Sequence, residues 1–262
     1  MHYVLRRSNQ VSVFWNDVFR FHCILAECIY FRSNPRCKYN IALYSSIVKS
    51  KDDRDTLASR LAIDFAYGAT LNIETLPVAP GVNIIPVKLS DASALASLVA
   101  DNIGHLQTFM PKVVALDTLP AAQKYLQAVV ETCEAGNLLV WHIYAGERLC
   151  GVVRINHIER EKRKASVGYY LGEKHLGNGL ATGSVRAVLQ FVFQRLGFNR
   201  IELKCASNNV ASQRVAERLG FSWEGLLRQA ELVNGVYNDQ FVYGLLRADF
   251  EARQAEQLQQ AA

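Results

Sequence analysis

The residues best suited to hold a ligand through the backbone are two glycines, Gly177 and Gly179, which separate a strand-like run from a helix-like run. Glycine has no side chain to keep a ligand away from the backbone. The helix predicted from Leu180 begins with N–H groups that lack acceptors within the helix, and its dipole favours an anion. The pattern therefore indicates a phosphate or diphosphate site, although a glycine pair at such a junction also makes a simple tight connection.

The spacing of these glycines excludes two common nucleotide-binding motifs. A P-loop requires G-x-x-x-x-G-K-[ST], and a dinucleotide fingerprint requires the three glycines of G-x-G-x-x-G. Neither pattern occurs at residues 176–182. A phosphate-containing ligand bound here would therefore belong to another class.

The elements that position this turn follow from apolar periodicity and turn signals. Ser90 and Asp91 are predicted to cap a first helix, and a second helix follows Thr118 and stops at Gly136. Two more helices are predicted at 180–197 and 210–219. Strands are predicted at 82–87, 138–144, 149–157, 165–171, 201–205, 225–233 and 236–246. This order predicts an α/β fold of the layered α+β kind with one central sheet.

Charge and hydropathy argue against a nucleic-acid partner and against a membrane span. The 262 residues carry a formal charge of +5, but residues 1–70 hold 10 Lys/Arg and 6 Asp/Glu, whereas the remainder holds 19 and 18. A nucleic-acid-binding domain would present a basic stripe, and a span needs about 18–20 consecutive apolar residues. We therefore expect neither nucleic acid nor membrane as a partner.

Cysteines and histidines do not have the spacing of a metal site. The six cysteines are Cys23, Cys28, Cys37, Cys133, Cys150 and Cys205. In a chain of this length they are typical of reduced, mostly buried thiols, which favours a cytoplasmic protein. The histidines His105, His142, His157 and His175 are interpreted as ordinary surface or core residues. No metal is expected.

Residues 1–75 differ from the rest and are interpreted as an N-terminal extension. Their apolar patches have no sustained period, and only residues 56–67 suggest a short amphipathic helix. We interpret the extension as poorly ordered or as the product of a start codon placed too early, with a regulatory or membrane-surface arm as the alternative. Residues 76–250 then form the domain, and residues 251–262 form a polar C-terminal tail.

Several segments of the domain resemble the GNAT superfamily of N-acetyltransferases, specifically the RimJ/RimL-like branch that acetylates protein N-termini. The segments are Asn156-His157-Ile158, Val167 to Glu173, Leu176 to Thr182, Ile201 to Cys205, Asn209 to Ser212, Glu217 to Phe221, and the hairpin with Glu224-Gly225, Asn234-Gly235 and Asp239. His105-Leu106 and Met110-Pro111 are similar to the branch's substrate-side segment. The resemblance covers about residues 80–250.

The resemblance implies a single mixed, mostly antiparallel sheet flanked by helices, with acetyl-CoA as co-substrate. The diphosphate would be held by backbone groups of the segment Leu176, Gly177, Asn178, Gly179, Leu180, Ala181 and Thr182. The backbone of Tyr169 and Leu171 would pair with the pantetheine arm as if it were an added strand, and the Asn209 side chain would hold that arm. Ser212 would be the general acid that protonates the departing thiolate, in a direct attack of an amine within a ternary complex.

The chain departs from the family pattern at two positions. Leu176 stands where Gln or Arg is usual, and Ser166 stands where many relatives carry a carboxylate. An attacking amine must lose a proton before it attacks a thioester, so the general base is left open among Glu231, Asp239, Glu173 and a water chain. The tyrosine acid of other GNAT enzymes would fall near Ala216, and its absence favours Ser212. Cys205 is interpreted as a buried thiol rather than a ping-pong nucleophile.

Three functions remain open on this reasoning. The first is acetylation of a protein N-terminus, of the ribosomal-protein type, by a monomer or homodimer. The second is acetylation of a small amine such as a polyamine or aminoglycoside, for which residues 100–130 offer only Asp101 and Asp117 as carboxylates. The third is a non-catalytic acyl-CoA-binding sensor or interaction module.

Overall fold

Alternating apolar residues build one eight-stranded sheet in a computed structural model that describes residues 73–261. The strands are β1 (Leu76–Ala79), β2 (Val82–Pro86), β3 (Leu139–Ala145), β4 (Arg148–Glu159), β5 (Lys164–Leu171), β6 (Arg200–Ala206), β7 (Ser222–Val233) and β8 (Val236–Leu246). The predictions for the N-terminal extension, for the helix at 56–67 and for Cys23, Cys28 and Cys37 lie outside the described residues.

Helices connect and cover the strands. They are α1 (Ala92–Ala100), α2 (Ile103–Leu106), α3 (Leu119–Glu134), α4 (Leu180–Gln194), α5 (Val210–Leu219) and α6 (Arg247–Ala261). Three 3₁₀ turns lie at Leu89–Asp91, Val114–Leu116 and Glu173–His175. The glycines that end α3 and α5 in the prediction, Gly136 and Gly220, have φ of +68° and +86°, as a left-handed helix end requires.

The sheet has the order β1-β2-β3-β4-β5-β6-β8-β7, and within it only the β5–β6 pair is parallel. The β7–β8 hairpin turns at Asn234 and Gly235, both at positive φ, as a two-residue loop of this type requires. The parallel β5–β6 pair exists because α4 returns the chain across the sheet between the two strands. The predicted mixed, mostly antiparallel sheet is therefore confirmed.

Each face of the sheet has its own core. Odd-numbered side chains of β5 and β6, including Val167 and Leu203, pack with α4 and α5, where Val188, Leu189 and Val192 are fully buried. The opposite face packs against α1 and α3 through Val140, Val152 and Tyr170, with Leu95 and Leu126 among the buried helix residues. Tyr169 and Tyr170 therefore face opposite sides, as their adjacent positions in a strand predict.

Asp91 is the N-cap residue of the first helix, as predicted, but its side chain does not cap the helix. Asp91 makes no side-chain bond to α1; its carboxylate accepts the Lys88 N–H at 3.0 Å and lies 2.8 Å from Nδ1 of His142. His142 is fully buried, so its ring needs a polar partner more than the exposed helix end does. Burial raises the pKa of Asp91, but the bonds from His142 and Lys88 outweigh it and hold the pKa below its usual value.

Elements at the two ends of the domain were not anticipated from sequence. Strand β1 has only four residues, and α2 occupies four residues within the segment that precedes Met110. Beyond residue 250, the segment predicted as a polar tail forms most of α6, whose Phe250 is buried against Phe193. A single apolar anchor per helix carries too little periodicity to be recognised in a sequence window.

Candidate active site

The central feature of the site is an opening between β5 and β6. Their parallel register runs from Lys164 opposite Arg200 to Val167 opposite Leu203 and ends there. Strand β5 continues to Leu171 along β4, and β6 continues to Ala206 along β8. The two strands therefore diverge after Val167, and the edges that face the opening have no strand between them.

The backbone of Tyr169 and Leu171 faces this opening. The N–H of Gly172 donates to the carbonyl oxygen of Cys150 in β4 at 2.9 Å. Because successive N–H groups of a strand point to alternate sides, those of Tyr169 and Leu171 point away from β4, toward β6. Buried backbone groups require partners, so this edge is suited to an extended ligand that carries amide groups.

The glycine turn lies at the wide end of the opening. Gly177 and Gly179 have φ of +77° and +73°, and a Cβ on either would meet nothing within 4 Å. The backbone is therefore bare toward the solvent at the first turn of α4, whose N–H groups have no intrahelical acceptor. A helix of 15 residues starting at Leu180 adds its dipole to this anion site.

Most of the predicted site residues line one cleft of about 380 Å³. They are Tyr169, Leu171, Leu176, Gly177, Gly179, Leu180, Ala181, Thr182, Asn209 and Ser212. Of the predicted set, only Asn178 is outside the lining; it is exposed between the two glycines. The predicted substrate-side segment also reaches the cleft, through His105, Leu106 and Met110.

Ser212 is held in the cleft by the start of α5. Asn209 is the N-cap of this helix, and its Oδ1 accepts the Ser212 N–H at 3.1 Å. The Ser212 hydroxyl lies 2.9 Å from the hydroxyl of Tyr169 on β5. Burial raises the pKa of Tyr169 to about 12, so the phenol keeps its proton at neutral pH. The Asn209 amide oxygen is thus engaged in capping, and its NH₂ group is the part that can donate to a ligand.

Cys205 lies on β6, where its thiol is hydrogen-bonded to Ser212. It is buried, and burial raises the pKa of its thiol to about 11, with the Ser212 hydrogen bond opposing and the charge of Glu231 reinforcing the shift. A thiol is nucleophilic as the thiolate. The interpretation of Cys205 as a buried thiol of the core is therefore confirmed, and its protonation argues against a ping-pong role.

The candidate general bases occupy different places. Glu231 has its charge within reach of Cys205, and its Oε2 accepts the Gln240 amide at 3.0 Å. Asp239 instead accepts the backbone N–H of Gln229. Glu173 is exposed on the 3₁₀ turn, where its backbone N–H is bonded to Asn102. Of these three carboxylates, Glu231 is the one whose charge acts on Cys205, the thiol hydrogen-bonded to Ser212.

Several cleft residues escaped the sequence reasoning. Tyr169 was assigned a backbone role, and its hydroxyl contact with Ser212 joins positions 43 residues apart. Arg214 and Arg218, one turn apart on α5, add two cations to the lining, which also includes Phe109 and His175. The i, i+4 spacing of the two arginines was a usable signal, because such residues share a helix face.

Two structural findings concern other ligands and membranes. Among residues 73–261, no group of three or more His, Cys, Asp or Glu side chains is arranged to hold a metal ion. In the same part of the chain, no helix is both long enough and apolar enough to cross a membrane.

The fold and the cleft define a class of acyltransferases that bind coenzyme A between diverging strands, and comparison with known proteins gives the same class. The acetyltransferase (GNAT) domain family matches residues 82–222, more than half of the chain. The chain belongs to this family. It is an acetyl-CoA-dependent N-acetyltransferase of the RimJ/RimL-like kind.

Relatives and solved structures agree with this assignment. The ribosomal-protein-serine acetyltransferase of Escherichia coli (strain K12) is 29% identical over 170 residues, 65% of this chain and 95% of that protein. The structure of RimL, a ribosomal L7/L12 alpha-N-protein acetyltransferase in complex with coenzyme A, matches with a TM-score of 0.64 and 29% identity, over 66% of this chain and 98% of that one. The structure of the microcin C7 self immunity acetyltransferase MccE, in complex with acetyl-CoA and AMP, matches with a TM-score of 0.63 and 25% identity. The match covers 68% of this chain and 98% of that one.

Proposed function

We propose that this enzyme acetylates the N-terminal amine of a protein, of the ribosomal-protein type, in the cytoplasm. The observation that carries the proposal is the cleft: the open edge of β5, the glycine turn and Ser212 line one cavity. The names of the E. coli relative and of RimL support a protein acceptor. The catalytic domain is proposed to comprise residues 76–250.

In this proposal the chain holds the co-substrate chiefly through its backbone. The first turn of α4 and the turn at Gly177 and Gly179 bind the diphosphate, and Arg214 and Arg218 add positive charge. The edge of Tyr169 and Leu171 binds the pantetheine arm, so the arm runs from the glycine turn toward Gly168. The thioester then lies where β5 and β6 close, near Val167.

The reaction balances as a direct transfer. The acceptor ammonium first loses one proton to a base, and the free electron pair of nitrogen then attacks the thioester carbonyl carbon. The C–N bond forms and the C–S bond breaks. The thiolate takes a proton from the Ser212 hydroxyl, and the second nitrogen proton returns to that oxygen through the Tyr169 hydroxyl or solvent. The products are the amide, the coenzyme thiol and one released proton.

A small-amine acceptor is the second candidate, favoured by the similarity to MccE, whose structure contains acetyl-CoA and AMP. Against it, a polyamine or aminoglycoside site needs several carboxylates, and the cleft lining contains none: its charged residues are Arg214 and Arg218, with His105 and His175 as the titratable rings. The cleft surface therefore fits a single amine on a larger acceptor better than a polycation.

The test is acetyl transfer from acetyl-CoA, measured as release of free thiol. The acceptors are peptides with a free N-terminal amine, the same peptides with a blocked N-terminus and a lysine side chain, and a set of polyamines and aminoglycosides. We expect turnover with the free N-terminal peptides and none with the blocked ones. Turnover confined to the small amines would contradict the protein acceptor, and tight coenzyme binding without any turnover would contradict catalysis.

A further inference from the structure

The glycine turn supplies hydrogen-bond donors but no charged side chain. Residues 176–182 are Leu-Gly-Asn-Gly-Leu-Ala-Thr. The Leu176 N–H donates to the Glu173 carbonyl oxygen, and the next backbone N–H with an acceptor among residues 73–261 is that of Gly183, which donates to Gly179. The N–H groups of residues 177–182 therefore remain for a ligand. Such a row of neutral donors at a helix N-terminus is suited to a diphosphate.

Coenzyme A carries a third phosphate, which this turn does not account for. It is a monoester on the 3′ oxygen of the ribose, and the sugar separates it from the diphosphate. A phosphate monoester carries a charge of about −1.5 to −2 at pH 7 and three oxygens that accept strong hydrogen bonds. Guanidinium groups match such an anion best, because each one can donate to two oxygens at once.

The cleft has its permanent cations on α5. Arg214 and Arg218 belong to the lining, together with Thr182 in the first turn of α4. Among the described residues that line the cleft there is no lysine, aspartate or glutamate. These two arginines are therefore the side chains available to a phosphate monoester that is bound in the cleft.

Helices α4 and α5 lie on the same face of the sheet. Each follows one of the two parallel strands, β5 and β6, so both helices begin at the same end of the sheet. Their buried residues, including Val188 and Val215, belong to one core. A nucleotide whose diphosphate is bound at the start of α4 is therefore close to the first turns of α5.

The two arginines are spaced to bind one anion. They lie one turn apart on α5, and both are exposed, whereas the residues that follow them, Val215 and Leu219, are buried. Residues at i and i+4 of a helix have Cβ atoms about 5–6 Å apart, so their guanidinium groups can reach a common phosphate. The buried neighbours hold the helix in place while the exposed arginines stay free to approach a ligand.

Neither arginine has a carboxylate partner in the free protein. No ion pair within residues 73–261 includes Arg214 or Arg218. Helix α5 contains one carboxylate, Glu217, which pairs with neither, and Arg253 of α6 adds a further guanidinium that donates to the Arg218 carbonyl oxygen. Like charges at i and i+4 destabilise a helix, so an anion bound between the two arginines would relieve their repulsion.

We propose that Arg214 and Arg218 form a clamp for the 3′-phosphate of acetyl-CoA and make the enzyme selective for this coenzyme over its 3′-dephospho form. The diphosphate stays with the backbone N–H groups of residues 177–182, and the monoester lies between the two guanidinium groups. The clamp rests on the coenzyme site of the proposed function and deepens it, because it assigns recognition of the nucleotide end to side chains of α5. It does not depend on which amine is the acceptor.

The test compares two ligands that differ only in this phosphate. Coenzyme A and 3′-dephospho-coenzyme A are titrated calorimetrically into the full chain. Wild type should bind coenzyme A at least about tenfold more tightly, because hydrogen bonds between charged groups are the strong ones. Arg214→Gln and Arg218→Gln should each weaken coenzyme A binding about tenfold and change the affinity for the dephospho form less than about twofold. Glutamine is a good helix former, so α5 should be preserved.

Two further variants separate the clamp from general electrostatics and from the diphosphate site. Arg186→Gln is the matched control, because Arg186 is exposed on α4 outside the cleft lining and its loss changes the net charge equally. It should leave the affinity ratio of the two ligands unchanged. Gly179→Ala should instead weaken both ligands by the same factor, since both carry the diphosphate.

The outcomes are separable. A loss confined to coenzyme A supports the clamp, as does a ³¹P NMR shift of the bound monoester, but not of the diphosphate, on going from wild type to Arg214→Gln. An equal loss for both ligands would overturn the clamp in favour of the diphosphate. Unchanged coenzyme binding with a raised KM for the acceptor peptide would overturn it in favour of an acidic acceptor. The titrations need no acceptor, so an absence of turnover would contradict the proposed function and leave this test intact.

Discussion

The coenzyme half of the cleft is built from backbone, whereas the half assigned to proton transfer is built from side chains that come from separate elements. The first half comprises the open edge of β5 and the turn at Gly177 and Gly179, all within one short stretch of chain. The second half joins the Tyr169 hydroxyl on β5 to the Ser212 hydroxyl on α5, 43 residues apart in the sequence. A backbone site depends on conformation and tolerates sequence change, while a side-chain site depends on a few atoms.

This difference predicts where substitutions should act. Changes in the backbone half should alter coenzyme affinity, and changes in the side-chain half should alter turnover. The tests below run from the largest expected effect to the smallest.

Ser212→Ala should lower kcat by about 100-fold, because the departing thiolate loses its proton donor. The Ser212 backbone N–H still bonds to Asn209, so α5 and the coenzyme affinity should be preserved. Steady-state kinetics with calorimetric titration of coenzyme A measures both quantities. Ser222→Ala, at an exposed position in β7, is the control, and an unchanged kcat in Ser212→Ala would remove Ser212 from its role.

Gly179→Ala should weaken coenzyme A binding by about tenfold or more, since a lost charge-assisted hydrogen bond costs about 1.5–3 kcal/mol. Gly146→Ala is a matched control: Gly146 has φ of +61° with no atom within 4 Å of an added Cβ, and it lies in the β3–β4 turn outside the cleft. Both variants should lose similar stability from strain. Equal coenzyme affinity in the two would contradict a phosphate site at Gly179.

Tyr169→Phe should lower kcat by a few-fold, on the order of one lost hydrogen bond of about 1 kcal/mol, because Ser212 loses its hydroxyl partner. The ring and its packing are retained, so KM for acetyl-CoA should not change. Tyr243→Phe, another buried tyrosine of the same core, serves as the control. A change confined to KM would show that Tyr169 acts in binding alone.

Glu202→Gln should lower stability in a pH-dependent way. Burial raises the pKa of Glu202, but its bonds with Lys164 and Arg200 outweigh this and hold the pKa below the usual value. A carboxyl whose pKa is lowered in the folded state stabilises the protein at pH values above its unfolded-state pKa. This stabilisation is lost as the pH falls through the folded-state pKa. The melting temperature of the variant should therefore lie below that of the wild type at pH 7, by about 2–4 °C for each kcal/mol of stability lost. The difference between the two melting temperatures should shrink toward pH 4. A gap independent of pH would show that the ion pairs are not its cause.

The contrast between local backbone features and contacts of distant side chains also explains what could be predicted from the sequence. The glycine turn and the long helix after it are local patterns, and the structure has both where they were predicted. The hairpin at Asn234-Gly235 is local in the same sense. Contacts between Tyr169 and Ser212 depend on how two elements pack, which no local pattern records. Asp91 is the N-cap that the sequence predicts, but the partner of its side chain was missed for a related reason, because His142 is 51 residues away.

The bulge at His157 shows this limit most clearly. His157 has φ of +51°; His is enriched among the non-glycine residues at positive φ, but such residues are too uncommon for the residue type to predict the bulge. A strand prediction ending at residue 157 assigns the element correctly and misses the bulge that brings the His157 ring to Ser166. The general base was left open in the sequence reasoning because the places of Glu231, Asp239 and Glu173 relative to the cleft depend on tertiary contacts.

Amide hydrogen exchange with and without coenzyme A tests the central claim most directly. If the arm pairs with the open edge of β5 and the diphosphate binds the glycine turn, the amides of Tyr169, Leu171 and residues 179–182 should gain protection. The Gly172 amide, which is already bonded to Cys150, should change little. Coenzyme binding that leaves the amides of Tyr169 and Leu171 unprotected would contradict the account.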